Sequence, residues 1–369
     1  MSAARPNAVS ASPERESRQG VGAGAGAAET SPQLRPPVAG ALPRSLYIET
    51  TNRCDSKCET CVRTFLTQEP PKDITLAEVR QIVEQFPVLD RVVLHGIGEP
   101  LLNREIFDIV AYLKGRGVYV LFNSDAISLT PPRALKLIES GLDEYRVSVD
   151  SATRETYLAI RGVDQFERVV ANLTQLRQEQ QRLGRDRPHV SLWFIAARSN
   201  LHELPELVRV ADRIGVGEIY LQRLVTTVAG RAGFGMARDE QSLQGALEDL
   251  QQRLIEEAEG LARERGIAFR ASGLKEPLQS LEVPEENHRY WAGCQRPWTL
   301  SYVTANGNVF PCCISPCTAK DYSGTILGNA FTEAYTEIWN GERYQEFRRQ
   351  FESDAPPDPC EGCGLKWSY

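Results

Sequence analysis

Nowhere does the chain carry a run of about 18 apolar residues, so no membrane-spanning helix is expected. Its N-terminus lacks the charged-then-apolar pattern of a secretion signal, and Glu14, Glu16 and Glu29 spoil the acid-poor composition of a transit peptide. Basic excess is missing too. Forty-two Lys and Arg stand against 49 Asp and Glu, a formal net charge of -7, which argues against nucleic acid as the main partner and for a small-molecule substrate. Histidine is scarce, at four residues, and His288 sits in a polar run that reads as a solvated loop.

What is present is length and alternation. With 369 residues and 41% hydrophobic content, the chain can bury one large domain and a smaller one. Residues 1–43 are rich in Ala, Gly, Pro and Ser without apolar periodicity, the composition of a disordered tail. From Ser45 onward, apolar runs alternate with helical patterns: S-L-Y-I-E, R-V-V-L-H, V-Y-V-L-F-N, E-Y-R-V-S-V, H-V-S-L-W-F-I and E-I-Y-L-Q-R-L. Thr75 and Glu78 form a capping box ahead of Val79, Ile82, Val83 and Phe86, and Thr130 is expected to cap a helix opening on Pro131. Strand–helix alternation of this kind predicts an α/β fold with a parallel sheet, a partial barrel of six units over residues 44–235. Leu243, Leu247, Leu250, Leu254 and Ala258 predict a helix within a linker, 236–290, packed on the barrel. The run W-T-L-S-Y-V-T-A-N-G-N-V-F-P-C-C predicts a hairpin with a two-residue Asn306–Gly307 turn, within a small domain over 291–369.

Nine cysteines cluster by motif, which points to metal ligation in a reducing cytoplasm rather than to disulfides. Cys54, Cys58 and Cys61 follow the first strand. Three thiolates are one short of a closed zinc site or a fully ligated iron–sulfur cluster, so an open coordination position is expected. The other six lie after residue 293: Cys294, then twelve residues to Gly307 and four more to Cys312, with Cys360 and Cys363 as a closing C-x2-C. Across the hairpin these four could close round one cluster or form a zinc ribbon. Cys313 and Cys317 are left as buried thiols or as a hydrogen-atom donor.

The C-x3-C-x2-C loop resembles the signature of the radical S-adenosylmethionine (radical SAM) superfamily. That resemblance implies a partial (βα)6 barrel, a four-iron four-sulfur cluster on Cys54, Cys58 and Cys61, and S-adenosylmethionine on the open iron. It further implies a 5'-deoxyadenosyl radical that removes hydrogen from substrate. Gly96, Gly98, Glu99 and Pro100 resemble the family's GGEP turn at the methionyl amino group. Ser148 and Arg161 match positions that meet the methionyl carboxylate, and Asn123 stands where the ribose is held. Thr60 replaces the family's aromatic residue before the third cysteine, and Asn123-Ser124 replaces its Asn-Gly pair. The C-terminal cysteines resemble the SPASM and Twitch extensions, which implies one auxiliary cluster on Cys294, Cys312, Cys360 and Cys363. The implied electron donor is a flavodoxin or ferredoxin. The implied chemistry is oxidation of a secondary alcohol in a sugar, aminocyclitol or nucleoside in antibiotic biosynthesis, with epimerisation, decarboxylation of a glucuronyl nucleoside or peptide modification as alternatives. Glu49 is a candidate proton acceptor, and Arg223 and Arg296 are candidate anchors for a carboxylate or phosphate. A metal-stapled scaffold without radical chemistry is the reading from another class, and iron and sulfide content separates it from the enzyme.

Overall fold

The computed structural model describes residues 35–224, 239–243, 247–272, 276–281, 291–361 and 363. The chain divides into two compact units, Met1–Arg35 and Pro36–Tyr369, and every element below lies in the second. His288 and its loop fall outside the described residues. Among the described residues, no helix is long and apolar enough to cross a membrane.

Seven parallel strands follow one another in chain order: β1 (Ser45–Ile48), β2 (Arg91–Leu94), β3 (Tyr119–Ser124), β4 (Glu144–Ser148), β5 (His189–Ala196), β6 (Glu218–Arg223) and β7 (Ala268–Ala271). Six crossovers, each containing at least one helix, join them, as local sequence requires. The Thr75–Glu78 capping box opens the helix Leu76–Val83. Thr130 precedes Pro131 as expected, but its hydroxyl makes no capping bond; the proline's fixed φ starts that helix. Glycine in the left-handed region ends the helices Arg154–Arg161, Phe166–Leu183 and Leu204–Ile214 at Gly162, Gly184 and Gly215. In the helix Asp249–Glu264 the buried residues are Ile255, Ala258 and Ala262, whereas Leu250 is 61% exposed. Of the spaced residues, Ala258 faces inward as expected, Leu243 is buried in the core and Leu247 packs against it ahead of the helix, and Leu250 points outward.

The C-terminal segment continues the same sheet. Strand β8 (Leu300–Val303) lies parallel to β1 on the side away from β2, and β9 (Asn308–Phe310) and β10 (Gly328–Asn329) follow antiparallel. The hairpin turn differs from expectation. Val303 faces Val309 and Thr304 bonds to Asn308, leaving a three-residue loop, Ala305 to Gly307, with only Gly307 at positive φ. A Cβ there would meet the Phe331 ring at 2.5 Å, so glycine is required twice over.

Side chains alternate across the pleat. Ile48, Leu94, Phe122, Val147, Phe194 and Leu221 face the helices in one core. Register puts Tyr47, Val93, Leu121, Arg146, Trp193 and Tyr220 on the inner face. Residues 36–41, assigned to the tail by composition, are held by the C-terminal helices. Arg348 donates to Pro37 O, Trp339 to Ala41 O, and Asn340 exchanges bonds with Ala39.

Candidate active site

The cysteine loop leaves the C-terminal end of β1 and rests on the helix Arg154–Arg161. Lys57 N donates to Arg161 O at 2.9 Å and Glu59 N to Ile160 O at 3.1 Å. This approach is close enough that a Cβ on Gly162 would lie 2.5 Å from Lys57 O. Cys54, Cys58 and Cys61 are free and half-buried. Burial, then the charge of Asp125, pushes the Cys54 thiol up to about 12. Such a thiol ionises when a cation takes the proton's place, the usual coupling of metal binding to proton release.

The Gly-Ile-Gly-Glu-Pro turn after β2 wraps against this loop. A Cβ on Gly98 would lie 2.1 Å from Thr51 O, so close backbone approach demands glycine there, and one on Gly96 would lie 2.3 Å from the buried Glu49 side chain. Glu99 is a buckle. Its carboxylate accepts from Leu101 N, from Ser124 Oγ at 2.8 Å and from Asp125 N at 2.8 Å, tying the ends of β2 and β3. Asp125, which the sequence reading passed over, accepts from Ser56 Oγ at 2.6 Å and lies 4.0 Å from Cys54 Sγ. The ligand atoms of Cys54, Asp55 and Asp125 fall within 4.8 Å of one another. Burial, then Asp55, raises Asp125 to about 6.

Beyond β4, Asp150 adopts a left-handed φ of 59° and pairs with Arg161, both buried. Its other oxygen accepts from Ile195 N at 2.7 Å, joining the ends of β4 and β5. Arg161 also points a nitrogen at Cys58 Sγ, 3.7 Å away, and so is not a solvated surface arginine. Asn123 and Ser148 are half-buried on the inner face, in register with Arg146 and Trp193 respectively. His95 belongs to the same side, and burial, then Arg146, lowers its pKa to about 4. On β6 the register places Gln222 inward beside Ile195, while Arg223 alternates to the side of Ile219 and Leu221. This corrects the expectation that Arg223 anchors a substrate in the barrel.

A cavity of about 210 Å³ opens between the cysteine loop and the C-terminal hairpin, with Glu49, Cys54, Glu69, Tyr302, Cys317 and Tyr322 in its wall. Glu49, at the end of β1, is 3% exposed. It accepts from Ile97 N, Tyr302 Oη and Ala305 N at 2.9, 3.0 and 3.2 Å. Burial outweighs those bonds and raises its pKa to about 7.

A second cavity is lined by Cys294, Cys312, Cys360 and Cys363 among Trp291, Phe347 and Phe351. Burial raises the Cys360 thiol, and the next contributions come from Cys312, Cys363 and Cys294, so the four sulfurs are neighbours as their spacing predicted. Arg296 belongs to this wall, next to Cys313, and not to the cavity holding Cys54. This corrects its expected role as an anchor beside the substrate. Four converging thiols in an apolar shell suit one iron–sulfur cluster, and three on the barrel loop suit a cluster with one open iron.

Residues 48–186 match the family model of the radical SAM superfamily, and 294–364 match that of SPASM, an iron–sulfur cluster-binding domain. The chain thus carries a radical SAM domain followed by a SPASM domain, and the two domains imply S-adenosylmethionine, a four-iron four-sulfur cluster and an auxiliary cluster as cofactors. It is 26% identical to an AdoMet-dependent heme synthase of Methanosarcina barkeri, over 88% of this chain and 89% of that protein. It is also 26% identical to a pre-heme d1 synthase of Dinoroseobacter shibae, over 89% and 80%. Among solved structures, SuiB of Streptococcus suis bound to precursor peptide SuiA superposes with a TM-score of 0.63 at 18% identity, covering 89% of this chain and 71% of SuiB, a likeness of fold.

Proposed function

We propose that this enzyme oxidises a small polar substrate at a hydroxyl-bearing carbon, of the sugar-like class, in the cavity between its two cysteine sets. When bound, the first cluster with S-adenosylmethionine supplies a 5'-deoxyadenosyl radical, and the second supplies an electron acceptor. The observation that carries this reading is the position of Cys317. It lines the cavity with Cys54, and burial raises its thiol, with smaller contributions from Cys61 of the first set, then Cys313, Glu49 and, from the second set, Cys312. One chamber thus lies within electrostatic range of both sets.

Polar walls support a hydroxyl- or amine-bearing substrate. Asn52, Gln68, Glu69 and Thr304 all line the chamber. Glu49 is the group suited to take the hydroxyl proton, because a base works best with a pKa near the operating pH, and burial sets Glu49 near neutrality. Arg161 and Asp150 form a fixed charge pair beside Cys58, and Ser148 and Asn123 offer inward polar groups for the cofactor. A flavodoxin or ferredoxin in the cytoplasm is the electron donor this chemistry calls for.

A tetrapyrrole substrate is the second reading, supported by the names of the two relatives that align over most of their length. The test uses reduced, reconstituted protein with S-adenosylmethionine and two panels, deuterated aminosugars or cyclitols and carboxylated tetrapyrroles. Deuterium in 5'-deoxyadenosine from a carbinol carbon supports the first reading; transfer only from tetrapyrroles supports the second.

A further inference from the structure

One carboxylate joins the cysteine loop to the C-terminal hairpin. Glu69 lies eight positions after Cys61. Its Oε1 accepts from Thr304 Oγ1 at 3.1 Å, Asn308 Nδ2 at 2.7 Å and Tyr322 Oη at 2.8 Å, and its Oε2 from Asn306 Nδ2 at 2.9 Å. The neighbouring Pro70 O accepts from Asn306 Nδ2 on one side and from Asn52 Nδ2 of the cysteine loop on the other. Glu49 accepts from the tip amide of Ala305. The tip Thr304–Asn308 is therefore held between two carboxylates, both in the cavity wall.

We propose that Glu69 is the positioning residue that seals this cavity: by gathering four donors from the auxiliary domain, it holds that domain's hairpin against the cysteine loop and keeps solvent from the reacting centre. The inference rests on the cavity being the reaction chamber. An ionised carboxylate accepts only, and charge-assisted bonds are about twice as strong as neutral ones. Removing it takes the acceptor from Thr304 Oγ1, Asn308 Nδ2 and Tyr322 Oη and leaves Asn306 Nδ2 with Pro70 O alone.

The test is thiol labelling of the reconstituted full chain with N-ethylmaleimide, mapped by mass spectrometry. Cys317 lines this cavity, and Cys313 does not. Glu69→Ala is expected to label Cys317 about tenfold faster, the effect of weakening closure by about 1.4 kcal/mol. Cys313 labelling and iron content stay unchanged. Glu69→Gln keeps one acceptor oxygen and falls between. Unchanged Cys317 labelling in Glu69→Ala overturns the proposal. So does equal acceleration at Cys313 with loss of iron, because that marks general destabilisation. Failure of the proposed reaction appears elsewhere, as cofactor cleavage without oxidation of any candidate, and leaves the labelling ratio as it is.

Discussion

Arg161 reaches from the helix after β4 to within 3.7 Å of Cys58 Sγ while its other nitrogen pairs with Asp150. A buried cation thus stands beside a ligand cysteine, fixed by a carboxylate that also holds the amide of Ile195. Arg161→Ala strands the Asp150 charge in the interior, and breaking a buried pair costs about 3–5 kcal/mol. Thermal unfolding of the variant is expected well below wild type, with reduced iron retention. Asp150→Asn with Arg161→Ala recovers part of the loss, because no buried charge remains unpaired.

Glu49 makes stability depend on pH. Its carboxyl is raised from 4.5 to about 7 in the fold, so the folded chain holds a proton that the unfolded chain releases between those values. That contribution is complete below the unfolded pKa and is lost as pH rises through about 7, about 3 kcal/mol at most. Denaturant unfolding from pH 5 to 8 is expected to show wild type losing stability relative to Glu49→Gln. Parallel curves for the two proteins contradict this assignment.

Gly98→Ala places a Cβ against the carbonyl oxygens of Thr51 and Arg53, which are backbone and cannot rotate away. The turn and the cysteine loop must then separate. A destabilisation of about 1–3 kcal/mol is expected by analogy with overpacking, with much weaker S-adenosylmethionine binding by calorimetry.

Cys294→Ala and Cys363→Ala each remove one of the four neighbouring thiols. Iron is expected to fall from about eight to about four per chain, the count for one four-iron cluster in place of two. Cleavage of S-adenosylmethionine persists, while substrate oxidation stops.

Motif and periodicity made most of this architecture legible. Strands β1 to β6 follow from alternating apolar runs, and the two cysteine sets from spacing together with the family resemblance. What spacing could not supply was orientation. Arg223 and Gln222 lie on a strand apolar on both faces, so only the register separates them. Arg296 joins the auxiliary wall because its short helix, Arg296–Thr299, directly precedes β8. Glu69 and Asp125 carry no motif. Their partners lie more than 200 and about 70 positions away in sequence, and long-range bonds leave no local pattern.

The measurement that bears most directly on the central claim is formation of 5'-deoxyadenosine from S-adenosylmethionine by anaerobically reconstituted, chemically reduced protein, compared with Cys58→Ala. Radical chemistry at the loop of Cys54, Cys58 and Cys61 predicts cleavage by wild type and none by the variant. Absence of cleavage by wild type, or its persistence in Cys58→Ala, contradicts it.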